Sequence, residues 1–335
     1  MSLFHHGHPH PSFYPRRNFM RKSFVFLGTL ANAAKASKWA KASELGGRVA
    51  GRGVKAHPFQ ALKLNGSAKP APKGVPAPRF RIFDAHLHCP SDEGSGEIWQ
   101  WYPVTKTFAE FAAYLEKTGV QRGIINAQRC NTAKSPAEFI AGNREVARYV
   151  EKYKGRFIGA CVVNPLFIDE SLKEIEYCRK QLGFVWVGEL CNYVVPYKYT
   201  INEFELLVEQ VAKLNMVLDV HTDVEEMHGI IQKFPQATIV FPHFGGDNEI
   251  FRRIELVAAH SNTFLDTSGY GIDRVGMLEY AVKTVGEDRI LFGSDFSINC
   301  PATVTGRVRS AFLTDQQKQK IFAENLEALL KRVSS

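Results

Sequence analysis

Residues 216–270 read MVLDVHTDVEEMHGIIQKFPQATIVFPHFGGDNEIFRRIELVAAHSNTFLDTSGY. Three short runs rich in β-branched and aromatic residues, MVLDVHT (216–222), ATIVFPHFGG (237–246) and NTFLDTSGY (262–270), are separated by VEEMHGIIQKF and EIFRRIELVAAH. The separating stretches repeat their apolar residues at helical spacing, so strands alternate with helices. A helix between successive strands carries the chain back across the sheet and makes the strands parallel.

The same alternation extends in both directions. Upstream, RFRIFDAHLHC (79–89) precedes a helix near 107–118, and RGIINAQ (122–128) a helix near 136–153. RFIGACVVNP (156–165) precedes DESLKEIEYCRKQLG, and FVWVGELCNY (184–193) precedes INEFELLVEQVAKLN. Downstream of 270, a helix near 273–285 leads to RILFGSDFSIN (289–299) and to helices ending near Val333. Eight strand–helix units in roughly 250 residues is the arithmetic of an α/β fold of the (β/α)8 TIM-barrel type. A doubly wound eight-stranded sheet is the alternative. No G-x-G-x-x-G follows a strand, and GGRVAGRG (46–53) has no strand before it, so neither a dinucleotide site nor a P-loop is expected.

The chain of 335 residues is 45% hydrophobic and 23% charged, which excludes a disordered chain or a collagen-like fibre. No apolar run reaches the ~18 residues that span a bilayer. The net charge of +8 is unevenly placed: residues 1–78 hold 13 Lys/Arg against Glu44 alone, and residues 79–335 hold 29 Lys/Arg against 33 acids. Residues 1–78 therefore read as a basic, Ala/Gly/Lys/Pro-rich segment ending in the stiff linker SAKPAPKGVPAP (67–78), and residues 79–335 as a mildly acidic catalytic domain. Within the first segment Arg16-Arg17, the apolar stretch 24–34 and the small residues at 31–36 follow the order of an export signal, resembling a twin-arginine signal in which Pro15 replaces the usual Ser/Thr and the apolar stretch is short. Periplasmic or extracellular localisation is expected; a plain basic tail on a cytoplasmic protein is the alternative. HHGHPH (5–10) receives no function. A basic segment can also bind nucleic acid or an anionic surface, but the mildly acidic domain gives no such reason. The expected partner is a small-molecule substrate. The six cysteines show no C-x-x-C, so no cysteine zinc site is expected. Disulfide status and homo-oligomer formation stay open.

Catalytic groups of such a barrel collect at the C-terminal ends of its strands. Of the domain's six histidines, His86, His88, His221 and His243 fall at or near strand ends; His228 and His260 fall in helix patterns and read as structural. His86 and His88, two apart on one strand, face the same side. Glu189 ends the fourth run and Asp295 the eighth, which neighbours the first once a barrel closes. Four imidazoles and two carboxylates on one rim suit a divalent metal such as zinc, one or two per chain. Asp84 and Asp219 share the facing of ligands two residues later and are candidates to orient them. Trp99, Trp101 and Tyr102 in the loop after the first strand, Arg129 after the second, and Tyr193 and Lys198 after the fourth are candidates to touch substrate.

DAHLH (84–88), GEL (188–190), VHT (220–222), PHFGG (242–246) and FGSDF (292–296) occur in the order found in the amidohydrolase superfamily. Over residues 79–330 the chain resembles in particular the amidohydrolase-related, or amidohydrolase-2, branch. The resemblance implies a distorted barrel in which His86, His88, His221 and Asp295 bind metal, Asp295 also transfers protons, and His243 binds a second metal or polarises substrate. A Glu at position 189 is similar to the bridging Glu of TatD-type hydrolases. Decarboxylases of the aminocarboxymuconate semialdehyde decarboxylase type generally use one metal and lack it. The expectation is a metal-dependent hydrolase cleaving a C–N or C–O bond; the alternative is a non-oxidative decarboxylase.

Overall fold

The eight apolar runs form eight parallel strands that pair in sequence order, in a computed structural model describing residues 80–92, 106–246 and 249–334. They are β1 (Phe83–Cys89), β2 (Arg122–Ala127), β3 (Phe157–Cys161), β4 (Trp186–Cys191), β5 (Val217–His221), β6 (Thr238–Phe241), β7 (Thr263–Asp266) and β8 (Ile290–Leu291). The ring closes between its last and first members. Ala85 N donates to Phe292 O at 2.8 Å, Asp295 N to His86 O at 3.0 Å, and His88 N to Phe296 O at 2.5 Å. The chain is thus a (β/α)8 barrel. The export signal with Arg16-Arg17, HHGHPH, the linker and the rim aromatics Trp99, Trp101 and Tyr102 lie outside the described residues.

Helices α1 (Phe108–Lys117), α2 (Pro136–Lys152), α3 (Ile168–Gln181), α4 (Asn202–Lys213), α5 (Val224–Lys233), α6 (Glu249–Ala259) and α7 (Met277–Val285) each follow one strand. After β8 come α8 (Pro301–Ser310), α9 (Asp315–Gln319) and α10 (Asn325–Ser334). Local chemistry sets the starts of α1 and α5: Thr107 with Glu110, and Asp223 with Glu226, form reciprocal capping boxes. Asp223 lies two residues after His221, so its cap also fixes how the chain leaves β5.

Two apolar layers hold the ring. The outer one joins the strands to the helices; the inner one fills the barrel with Phe83, Ala85, Ile124, Ala160, Trp186, Val217, Val240, Phe264 and Leu291. Leu326, Leu329, Leu330 and Val333 of α10 belong to the inner layer and cover the end where the strands begin. Arg81, just before β1, pairs with Glu327 there at 2.8 Å. With that end covered, access to the barrel is from the opposite rim, where the candidate ligands lie. No described helix is long and apolar enough to cross a membrane.

The eighth strand is shorter than the run that predicts it. Only Ile290 and Leu291 pair as a strand, and Asp295 follows four residues later with φ +59°. His243 likewise sits two residues past β6 with φ +67°. Both side chains are presented by turned backbone beyond a strand end.

Candidate metal centre

Two irregularities aim the candidate ligands inward. In β1, Phe83 and Ala85 belong to the inner layer, so plain alternation would send His86 and His88 outward. The pairing of β1 with β2 shifts between Asp84 and Leu87, which reverses the parity and puts Leu87 and Cys89 in the outer layer. Strand β4 repeats the device. Its register with β5 shifts between Val187 and Leu190, both outer-layer residues, and Glu189 turns into the barrel. At this bulge Gly188 has φ +129°, and a Cβ there would lie 2.0 Å from Asp219 O.

The side chains so placed converge. His86 Nε2 and His88 Nε2 are 3.0 Å apart. Glu189 Oε2 lies 3.3 Å from the first and 3.4 Å from the second. Asp295 Oδ1 lies 3.7 Å and 3.1 Å from them. Donors spaced like this fit around a divalent cation with ligand distances of about 2 Å. The opposite ring nitrogens show why a cation belongs there. His86 Nδ1 meets Asp266 Oδ2 at 2.9 Å, and His88 Nδ1 meets Asn126 Oδ1 at 2.9 Å. The Asn126 amide is oriented by its own Nδ2, which donates to Gly188 O at 3.3 Å. Both Nδ1 atoms therefore donate, and in neutral rings two bare Nε2 lone pairs face each other at 3.0 Å. That contact is repulsive until a proton or a metal cation stands between them.

A second triad adjoins the first: Glu189, His221 and His243. Glu189 Oε1 is 2.9 Å from His221 Nδ1 and 3.8 Å from His243 Nε2. One carboxylate thus turns an oxygen to each triad. His243 Nδ1 rests 2.9 Å from Ser268 Oγ. Fully buried Arg253 ties the ends of β5 and β6 together, donating to Thr222 O at 2.8 Å, Pro242 O at 2.9 Å and His243 O at 3.2 Å. Tyr199 donates to His221 O at 2.6 Å.

The electrostatics divide the histidines. Burial opposes a charge on His86, but Glu189 and Asp266 outweigh it and hold its proton well above the ordinary range. His88 follows: against the pull of burial, Asp295 and Glu189 raise it to about 9. Burial also opposes the charge of Glu189, yet His86 and the other imidazoles keep its carboxyl well below the usual range. His243 goes the other way. Burial, and then the neighbouring His221, push it down to about 4, so its ring is neutral.

The remaining residues singled out from sequence divide as well. Tyr193, half exposed, sets its ring edge-on to His221 at 4.7 Å and so stands at the mouth. Arg129 forms an ion pair with buried Glu145 at 3.6 Å. Asp84 does not orient a ring; it accepts from the backbone of His86 and of Ser294, each at 3.0 Å, joining β1 to the segment that carries Asp295. Asp219 accepts from Trp186 Nε1 at 3.1 Å inside the barrel. His260 bonds Leu256 O, as a structural histidine does. All six cysteines are free thiols, five of them buried. Sequence reasoning passed over Asp266, Ser268, Asn126 and Arg253. Asp266, at the end of β7, had a residue type and a position that could have flagged it.

Residues 83–332 match the amidohydrolase family. No curated protein matches the sequence. Among solved structures, a putative amidohydrolase from Staphylococcus aureus is 15% identical with a TM-score of 0.63, covering 75% of this chain and 100% of its own. The 2,6-dihydroxybenzoate decarboxylase from Rhizobium is 17% identical with a TM-score of 0.60, covering 75% and 99%. A dihydroxybenzoic acid decarboxylase from Polaromonas sp. JS666, with bound manganese and the inhibitor 2-nitroresorcinol, is 18% identical with a TM-score of 0.60, covering 75% and 97%. At these identities the likeness is one of fold, and it agrees with the closed eight-stranded ring. The match over residues 83–332, together with two His/carboxylate triads at the mouth of that ring, makes the chain a member of the amidohydrolase family of metal-dependent enzymes.

Proposed function

We propose that the chain is a metal-dependent hydrolase acting on an amide, lactone or ester of a small molecule. The observation that carries this reading is Glu189, with one oxygen turned to His86 and His88 and the other to His221 and His243. A carboxylate in that position suits two cations: His86, His88 and Asp295 would hold one, His221 and His243 the other, and Glu189 would serve both. Zinc and manganese both accept such donors. When bound, the metal polarises the scissile carbonyl and makes water easier to deprotonate.

The chain's own groups do the rest. Asp295 Oδ1 faces the centre, and its Oδ2 accepts from Asn299 Nδ2 at 2.9 Å, which holds the carboxylate in one orientation. Asp295 takes a proton from the attacking water as the new C–O bond forms. It returns that proton to the leaving nitrogen or oxygen as the old bond breaks, so no net proton stays on the enzyme. Tyr193 gives the substrate an aromatic wall beside His221. A second reading is non-oxidative decarboxylation, favoured by the names of the Rhizobium and Polaromonas neighbours and by the manganese in the latter.

The test is a panel of amides, esters, lactones and phenolic carboxylic acids, with carbon dioxide followed in parallel and metals counted per chain. Two metals with hydrolysis are expected. Glu189→Gln should lower the content toward one, and Asp295→Asn should keep much of the metal while losing at least ~10²-fold in rate. Carbon dioxide release without hydrolysis of any member would install the decarboxylase instead. Export through Arg16-Arg17 is a separate proposal, supported by the order of residues 16–36 alone. Sequencing the N-terminus of protein from its native host tests it; an intact Met1 on cytosolic protein overturns it.

A further inference from the structure

We infer that Ser268 is a positioning residue that fixes which nitrogen His243 turns to the pocket, and so governs binding of the second cation. The inference rests on the two-triad reading above. Ser268 is completely buried behind the histidines. Its Oγ lies 2.9 Å from His243 Nδ1 and 3.2 Å from His86 Nδ1, and it makes a short hydrogen bond to Asp266 Oδ1.

Counting protons decides the direction of each bond. The hydroxyl has one proton and three polar neighbours. Asp266 Oδ1 already accepts the backbone N–H groups of His243 and Ser268, at 3.2 and 2.8 Å, so it faces the hydroxyl as an acceptor. Were the hydroxyl proton turned to His243, bare oxygens would face each other across the short Ser268–Asp266 contact. The proton therefore goes to Asp266. Ser268 Oγ is left as an acceptor, and His243 must supply Nδ1–H. A neutral imidazole has one such proton, so its Nε2 keeps a lone pair. That atom is the one 3.8 Å from Glu189 Oε1.

The surroundings leave the ring little choice. His243 N donates to Asp266 Oδ1 at 3.2 Å and Ser268 N to the same oxygen at 2.8 Å, pinning both backbones. Gly269 has φ +63°, and a Cβ there would lie 2.2 Å from His243 Nδ1, so glycine makes room for the ring against the hydroxyl. The same Asp266 and Ser268 oxygens take the Nδ1–H of His86, whose ring stacks on His243 with centroids 5.7 Å apart. When both rings are neutral, one hydroxyl and one carboxylate thereby present Nε2 lone pairs to both halves of the centre. A hydroxyl that merely filled space would not set the tautomer.

The experiment uses full-length protein with 15N-labelled histidine, stripped of metal by a chelator and read by long-range 1H–15N NMR at neutral pH, then titrated with zinc chloride. In wild type His243 should carry its proton on Nδ1, and Ser268→Ala should move it toward Nε2. Zinc should bind the first site nearly as in wild type, because Asp266 Oδ2 still takes the Nδ1–H of His86 at 2.9 Å, and the second site of Ser268→Ala about 10–100-fold more weakly, the cost of losing the outer partner of His243. Ser268→Thr, which keeps the hydroxyl, should restore both readouts. An Nε2-protonated His243 in wild type overturns the assignment even if the alanine variant fails to fold. So does equal second-site affinity in a folded Ser268→Ala. Wild type that takes one zinc with His243 still protonated on Nδ1 would overturn the two-triad reading while supporting the tautomer.

Discussion

Replacing Asp266 by Asn changes one atom and should reverse a proton. Asp266 Oδ1 accepts from Ser268 N, Ser268 Oγ and His243 N, so an amide there must keep its carbonyl at that position. Its NH2 then faces His86 Nδ1, where Oδ2 stood at 2.9 Å. A donor opposite Nδ1 drives the imidazole proton to Nε2, the atom that should bind metal. Asp266→Asn is therefore expected to bind the first cation at least about tenfold more weakly, with an unchanged circular dichroism spectrum. Wild-type metal content after dialysis against a zinc buffer would refute that role of Asp266. At this scale the sequence was legible for the side chains that converge and silent about what orients them. His86, His88, Glu189, His221, His243 and Asp295 are residue types that bind metal at strand ends, and they do converge. Asp266 and Ser268 lie in NTFLDTSGY, read as a strand end without a role. Nothing in that spacing separates a carboxylate that ligates from one that stands behind a ligand. Asn126 and Arg253 act through contacts 38 and 10 or more residues away, which a single sequence does not display.

Strand β4 reaches its target only because its pairing with β5 shifts at Gly188. Alanine there would place a methyl 2.0 Å from the backbone oxygen of Asp219, at a φ that L-residues rarely adopt. A contact with backbone is not relieved by turning a side chain, so the bulge itself must move. Gly188→Ala should cost at least about 1–3 kcal/mol, read as a lower melting temperature. It should also lower the metal content, since Glu189 is the next residue. A variant with wild-type melting temperature and metal content would mean that the bulge tolerates a side chain and does not set Glu189. Alternating strands and helices made the barrel legible from apolar periodicity alone. The bulges were not, because a one-residue slip leaves the composition of FDAHLHC or WVGELC unchanged. The same limit shortened β8: an apolar run marks what is buried, and FGSDF is buried by turning over the rim instead of pairing along its length.

For the whole molecule, the centre links stability, pH and metal. Without a cation, Asp295 and Glu189 hold the His88 proton to about 9 against the pull of burial, well above the ~6.5 of an unfolded histidine. A folded-state pKa raised in this way adds stability that is fully present below about 6.5 and is lost as pH climbs through about 9. Glu189, held low, works in the opposite sense: its contribution is present above the ordinary carboxylate range and fades as acid titrates it. Metal-free protein should therefore melt at progressively lower temperature from about pH 6.5 to 9, through this group, and again on acidification below the carboxylate range. A cation takes the place of the His88 proton, so loaded protein should lose this part of the alkaline slope. Loading must also release protons. Calorimetric titration of the stripped protein with zinc at neutral pH, in buffers of different ionisation enthalpy, should report that release. Zinc at a free concentration 1,000 times its dissociation constant should add about 4 kcal/mol, reversed by chelation. The binding enthalpy should differ between buffers in proportion to their own ionisation. An enthalpy independent of buffer, or identical melting curves with and without chelator, would mean that the cation does not displace protons held between β1, β4 and the turn after β8.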